Sequence, residues 1–193
     1  VTTAAKTGTA SAKFNNYSYA AGTASSLTTP PITFASTIST ATLTFQYAHR
    51  TYSGENDKLE VFVSTDCGTT WTSVWARSGA TGTNALVTVT GTQTSAFTPT
   101  AAQWTQSPIS VDLSAYRTQA IQVKFTATSA FGNNLYIDDI NIFGTNAITN
   151  DAGVTAIVSP VGQKCGSFTP SFTIKNYGTL PLTSVVLNYR LDG

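Results

Sequence analysis

The feature that most constrains this chain is alternation at a period of two. Leu43, Phe45, Tyr47 and His49 fall on one side of a run whose other side is Thr42, Thr44, Gln46 and Ala48. Leu59, Val61 and Val63 alternate with Glu60, Phe62 and Ser64, and Ile121, Val123 and Phe125 alternate with Gln122, Lys124 and Thr126. Successive side chains of an extended strand point to opposite faces, so each run is a half-buried antiparallel strand. Further strands are expected at 11–15, 27–34, 71–76, 86–90, 109–113 and 135–143. Ser53-Gly54, Cys67-Gly68, Gly91 and Gly132-Asn133-Asn134 supply the turns between them. A sustained 3.6-residue apolar stripe is missing throughout, and the one helical turn expected is at 100–104, after Pro99. Many short strands at even spacing predict an all-β protein, an antiparallel jelly-roll sandwich in which two sheets bury their apolar faces on each other.

The regular pattern ends near Gly144. Residues 1–144 are therefore expected to form the sandwich, and the short polar stretch 145–150 a linker. A second alternation begins at Val154, Ile157 and Val158 and continues through Phe172-Thr173-Ile174 and residues 185–189. A complete immunoglobulin-type sandwich needs roughly 100 residues, so 151–193 is expected to be the N-terminal part of an Ig-like β domain.

Composition excludes several functions. Charged residues are 10% of the chain, against about 25% in ordinary soluble domains. The net charge is +1 and the Lys and Arg residues are scattered, so the basic face of a nucleic-acid binder is not expected. No run of about 18 apolar residues occurs, which argues against membrane insertion by a helix. Val1 opens a polar Thr/Ala stretch without the apolar segment of a signal peptide, which suggests a processed or trimmed product. Cys67 and Cys165 are far apart in sequence. A bridge between them, a free thiol and a partner outside the chain all stay open.

Two groups of residues invite chemistry. The pair Asp138-Asp139 lies in a run with apolar residues on both faces, Tyr136, Ile140 and Ile142 with Asp138, and Ile137 with Asp139. A buried unpaired carboxylate is costly, and a calcium ion held by oxygen ligands removes that cost. A structural calcium site on Asp138 and Asp139 is thus one expectation, with Asp57 and Glu60 as weaker partners. The other is that one Asp is solvated while its neighbour caps backbone N–H groups or pairs with a cation. Asp57 on its own is expected in a solvated loop. The second group is aromatic. Sugar rings stack on aromatic plates flanked by polar groups. Trp75, Tyr52 and Arg50 lie beside expected loops and are the candidates for glycan contact, whereas Trp71 and Trp104 are expected to pack inside. His49, in register with Leu43, Phe45 and Tyr47, is expected to be a core or rim residue. No Ser/His/Asp arrangement, nucleophile elbow, paired glycosidase carboxylates or phosphate loop stands out. No catalytic residue is assigned, and an enzyme is not expected.

The segment from Asn56-Asp57-Lys58-Leu59-Glu60-Val61-Phe62-Val63 through Ser64-Thr65-Asp66-Cys67-Gly68-Thr69-Thr70-Trp71 is distinctive, as is Phe131-Gly132-Asn133-Asn134-Leu135-Tyr136-Ile137-Asp138-Asp139-Ile140. With the Leu27 to Ile32 step and Val111-Asp112-Leu113-Ser114, they resemble the MAM-like jelly rolls called cleaved-adhesin or choice-of-anchor domains, found in large secreted and surface proteins of Bacteroidota. The resemblance covers roughly residues 13–143. It implies a concanavalin-like sandwich without catalytic groups of its own, calcium as a structural ion, and export by the type IX secretion route. The stretch from Asp151-Ala152-Gly153-Val154 through Lys175-Asn176-Tyr177-Gly178 is similar to the Ig-like repeat that often follows such a domain. The family usually opens with an earlier strand and a Trp-containing segment, after which this chain is expected to begin. It also commonly carries an Asp before the Leu at 27, where this chain has Ser25 and Ser26.

The function expected from these observations is a non-catalytic adhesive or carbohydrate-binding module of a secreted or cell-surface protein. Its partners would be a glycan or a surface protein, and other domains of the same polypeptide. The alternatives are an accessory or spacer domain of a secreted multidomain metalloprotease, or a structural repeat of a surface filament.

Overall fold

A computed structural model describes residues 1–162 and 166–190. Cys165 lies outside the described residues, so the bridge left open by the sequence is not addressed by it; Cys67 is exposed. The chain divides into two compact units, Val1–Thr145 and Asn146–Gly193. The strand that ends the first unit runs on to Asn146, two residues into the stretch expected to be a linker.

The first unit is an antiparallel β-sandwich. Its strands are β1 (Ala12–Phe14), β2 (Ala24–Thr28), β3 (Ile38–His49), β4 (Lys58–Ser64), β5 (Thr72–Ser78), β6 (Ile109–Asp112), β7 (Gln122–Thr128) and β8 (Leu135–Asn146). One sheet has the order β1-β8-β3-β6 and the other β2-β7-β4-β5. Apart from the β4-β5 hairpin, neighbours in each sheet are distant in sequence, so each sheet forms only when remote segments meet. The alternation read in the sequence sets which side faces inward. Leu43, Phe45 and Tyr47 of β3 meet Leu59, Val61 and Val63 of β4 and Val123, Phe125 and Ala127 of β7 in one buried core. Phe45 spans the two sheets, with its ring edge-on to Phe125 at 5.1 Å and to Trp75 at 5.2 Å.

A second, smaller core lies on the other face of the β1-β8-β3-β6 sheet. There Ala4, Ala48, Phe97, Trp104 and Tyr136 are buried together. Ala48 and Tyr136 are the positions next to core-facing Tyr47 and Leu135, so they project to the opposite side. The long connection between β5 and β6 covers them and supplies Phe97 and Trp104. Its expected strand at 86–90 is absent. Leu86 and Thr88 instead bond singly to the carbonyls of Gly79 and His49, which ties the loop down without a ladder. The expected helical turn is present as a 3-10 turn at Ala101–Gln103, closed by reciprocal bonds between Thr100 and Gln103, and further 3-10 turns form at Asn16–Ser18 and Ser114–Tyr116.

Two further expectations are corrected. The strand expected at 27–34 is displaced to Ala24–Thr28, and only Ile32 returns to the sheet, as an isolated bridge to Ile121. Pro30 and Pro31 fall in the gap and lack the N–H a ladder needs. Along β8, Ile142 packs on the same core as Leu135 and Ile137, so it does not share a face with Tyr136. The alternation slips by one between Ile137 and Ile142. Asp139, in the left-handed region at φ 52°, lies in that stretch, as at a β-bulge.

The described residues of the second unit contain β9 (Ala152–Ser159) and β10 (Ser171–Asn176), paired antiparallel. The strand expected at 185–189 is not formed.

Candidate functional site

The core faces of the two sheets do not end on apolar residues. On β3 the inward series Leu43, Phe45, Tyr47 continues to His49, and on β4 the series Val63, Val61, Leu59 runs back to Asp57. Both residues are buried, at 1% and 0% exposure. They meet at one end of the sandwich, where His49 Nε2 stands 3.7 Å from Oδ2 of Asp57. The connection between β3 and β4 adds Glu55, half-buried at the edge of the pair. One ligating atom from each of His49, Glu55 and Asp57 lies within 4.8 Å of the other two.

Each of the three is fixed by the backbone. Asp57 accepts the amide N–H of Ala130 at Oδ1 (2.7 Å) and that of Asn133 at Oδ2 (2.9 Å), and so holds the turn before β8. Glu55 accepts from the amides of Tyr52 and Ser53 and from the hydroxyl of Thr51. Partial burial works to raise the Glu55 pKa, but these donors hold it below the usual carboxylate range. Nδ1 of His49 donates to the carbonyl oxygen of Asn134 at 3.3 Å. Burial holds the His49 pKa below its ordinary value, against the opposing pull of Asp57, the Asn134 carbonyl and Glu55. The expectation that Asp57 sits in a solvated loop is thus corrected. It occupies the core-facing register of β4, a parity the sequence already contained.

The Asp138-Asp139 pair is held elsewhere. Asp138 accepts the amides of Lys6 and Asp139, at 2.7 and 2.8 Å. Asp139 accepts the hydroxyl of Thr7 and, at 3.3 Å, the side-chain amide of Gln46. All four carboxylate oxygens thus have a protein donor. Among the described residues no third His, Cys, Asp or Glu joins them, since the group His49, Glu55 and Asp57 is the one cluster of three. This donor set fits a clamp between β8, β3 and the N-terminal segment better than a calcium cage, which takes six to eight oxygens. Glu60 is paired with Lys58 at 2.8 Å.

A cleft of about 270 Å³ opens beside Tyr47, Arg77, Thr88, Trp104, Gln106 and Ile109. Arg77 reaches the carbonyls of Thr83 and Ala85 through Nη1. Its Nε, and Nε1 of Trp104, are buried N–H groups without an acceptor. Burial raises the Tyr47 pKa, partly offset by the Arg77 charge, which keeps the phenol a neutral donor.

The three residues expected to contact a glycan are not brought together. Trp75 is half-buried against Phe45 and Tyr47, with Arg77 5.8 Å above its ring, and so stands behind the cleft. Tyr52 pairs its ring with Tyr17. Arg50 donates to the carbonyl of Gly91. Trp104 is internal as expected. Trp71 is not: it lies half-buried on the outer face of the β2-β7-β4-β5 sheet, beneath Lys124, whose Nζ is 4.0 Å from the ring centre. Arg77 was missed in the sequence because its partners come from the irregular loop 79–108, which no periodicity describes.

The class that this fold defines is an antiparallel β-sandwich domain. No family model and no curated protein matches the chain. Among solved structures it is similar to TmCBM61 in complex with β-1,4-galactotriose, at 15% identity and a TM-score of 0.41, over 75% of this chain and 77% of that one.

Proposed function

We propose that the first unit is a non-catalytic binding module of a secreted or surface protein, and that its ligand is a glycan taken up at the cleft between Tyr47, Arg77 and Trp104. The observation that carries this is the pair of buried N–H groups, Arg77 Nε and Trp104 Nε1, left without acceptors on two side chains that line one cleft. A buried donor without a partner costs about 1–3 kcal/mol, which an acceptor-bearing ligand returns once the two side chains turn these N–H groups toward the cleft. Sugar hydroxyls and carboxylates are such acceptors, and Arg77, Gln106 and Ile109 are the cleft residues that present polar and apolar surface to them. Adhesion and export remain part of this proposal through the family resemblance.

The test is a glycan microarray probed with the folded chain, followed by titration calorimetry on the best responder. Replacing Arg77 by Gln removes a charged donor, which is worth about 1.5–3 kcal/mol and therefore about 10- to 100-fold in affinity. Flat responses across neutral and acidic polysaccharides, or binding untouched by R77Q, would refute the assignment.

A further inference from the structure

The end of the sandwich where β3 and β4 converge poses a chemical problem that hydrogen bonding alone leaves open. The carbonyl oxygen of Asn134 can only accept, so the ring nitrogen facing it, His49 Nδ1, carries the proton. In the neutral ring Nε2 is then a bare lone pair. It points toward Oδ2 of Asp57, another acceptor, at 3.7 Å, beyond hydrogen-bond reach. Two acceptors face each other in a place nearly closed to water, with a second carboxylate, Glu55, beside them. Such an arrangement is stable when something positive stands between the lone pairs.

We propose that His49, Glu55 and Asp57 form a binding site for a borderline divalent metal ion of the zinc type. The donor set selects the ion. Imidazole nitrogen with two carboxylates suits zinc, cobalt or nickel, whereas calcium and magnesium take oxygen alone. The spacing agrees. Ligands bound at about 2.1 Å in a tetrahedron lie about 3.4 Å apart, near the 3.7 Å between His49 Nε2 and Asp57 Oδ2. The supporting bonds agree as well. A metal-bound histidine commonly donates its other N–H to a carbonyl or carboxylate, which fixes the tautomer, and His49 does so to Asn134. The N–H donors on Asp57 orient its carboxylate and leave Oδ2 a lone pair, whereas Glu55, which accepts two donors at each oxygen, would bind the ion by giving up a hydroxyl donor, that of Thr51 at Oε1 or of Ser53 at Oε2. The three ligands lie within nine residues, on the end of one strand and the loop leading to the next, so one connection builds the site. The role follows from burial: the ion would join the two sheets at their open end.

The test uses the whole chain, stripped with a strong chelator and titrated separately with cobalt(II), zinc(II) and calcium(II). The expected result is one equivalent of cobalt with the visible absorption of a low-coordinate site, its displacement by zinc, and no competition from calcium. Glu55→Gln should weaken cobalt binding at least tenfold, and Glu60→Gln, outside the cluster, should not. Because His49→Gln and Asp57→Asn can unfold the end of the sandwich, ¹⁵N NMR of the native chain supplies a second readout. Zinc should move the Nε2 resonance of His49 and leave Nδ1 protonated. The proposal is overturned by any of four outcomes: no cobalt or zinc binding, binding indifferent to E55Q, calcium competing at equal strength, or a His49 ring protonated on both nitrogens against Asp57.

Discussion

Asp57 and Gly132 are packed so closely that a β-carbon on the glycine would stand 2.5 Å from Cγ of the carboxylate. Asp57 lies just before β4 and Gly132 in the turn before β8, so this approach joins two connections remote in sequence. Gly132→Ala should therefore destabilise the first unit by about 1–3 kcal/mol, the usual range for overpacking. Urea denaturation followed by tryptophan fluorescence measures it. A neutral substitution would show that the turn can shift without loss.

Removing the carboxylate attacks the same relationship from the other side. Asp57→Ala leaves the amides of Ala130 and Asn133 without their acceptor. Unsatisfied buried donors and lost charge-assisted bonds together should cost about 3 kcal/mol or more. In the double variant with Gly132→Ala the two losses should not add, because the alanine methyl enters space the carboxylate has vacated. Simple additivity in that cycle would contradict the packing described.

The second core can be weighed against the surface using two tryptophans. Trp104 is 1% exposed among Phe97, Tyr136 and Ala48, so Trp104→Ala should cost about 3–5 kcal/mol. Trp71 covers the outer sheet face beneath Lys124, and Trp71→Ala should cost about 1 kcal/mol or less. Thermal melts of the two variants should rank in that order, and the reverse order would place the wrong ring inside.

Asp66 gives a pH signature. Hydrogen bonds from the hydroxyl and amide of Thr70 and from the hydroxyl of Ser64 lower its pKa from 3.8 to about 2. A carboxylate whose folded pKa lies below the unfolded value adds stability that is complete above the unfolded value. That stability is lost as pH falls from about 3.8 toward 2. Carbon NMR should place the Asp66 carboxyl midpoint near the lower figure, and Asp66→Asn should flatten the acid limb of the stability curve in that window. A midpoint at the ordinary value would mean the turn is not closed on Asp66 in solution.

How much of this was legible in the sequence depends on the residue. Alternation located β3, β4, β7 and most of β8, and it placed Leu43, Phe45, Val61 and Phe125 on core faces, because a strand obliges every second side chain to one side. The same rule put His49 inside. Extended two residues upstream of Leu59 it would have put Asp57 inside as well, had its charge not argued for solvent. Trp71, expected to open a strand at 71–76 and to pack inside, instead stands just before β5 at the end of the turn, where strand parity does not apply.

The chain by itself determined which faces are apolar and therefore that two sheets must stack, since that is a local property of each strand. Only the tertiary structure decided what stands opposite His49, which connection buries Trp104, and where Arg77 leaves a donor unpaired. Those meetings run through loops with no repeating pattern, whether they span the eight residues from His49 to Asp57 or the longer stretch from Trp104 to Tyr136. Local preference fixes a residue's side of a strand, but its partner across the sandwich is set by how the whole chain closes.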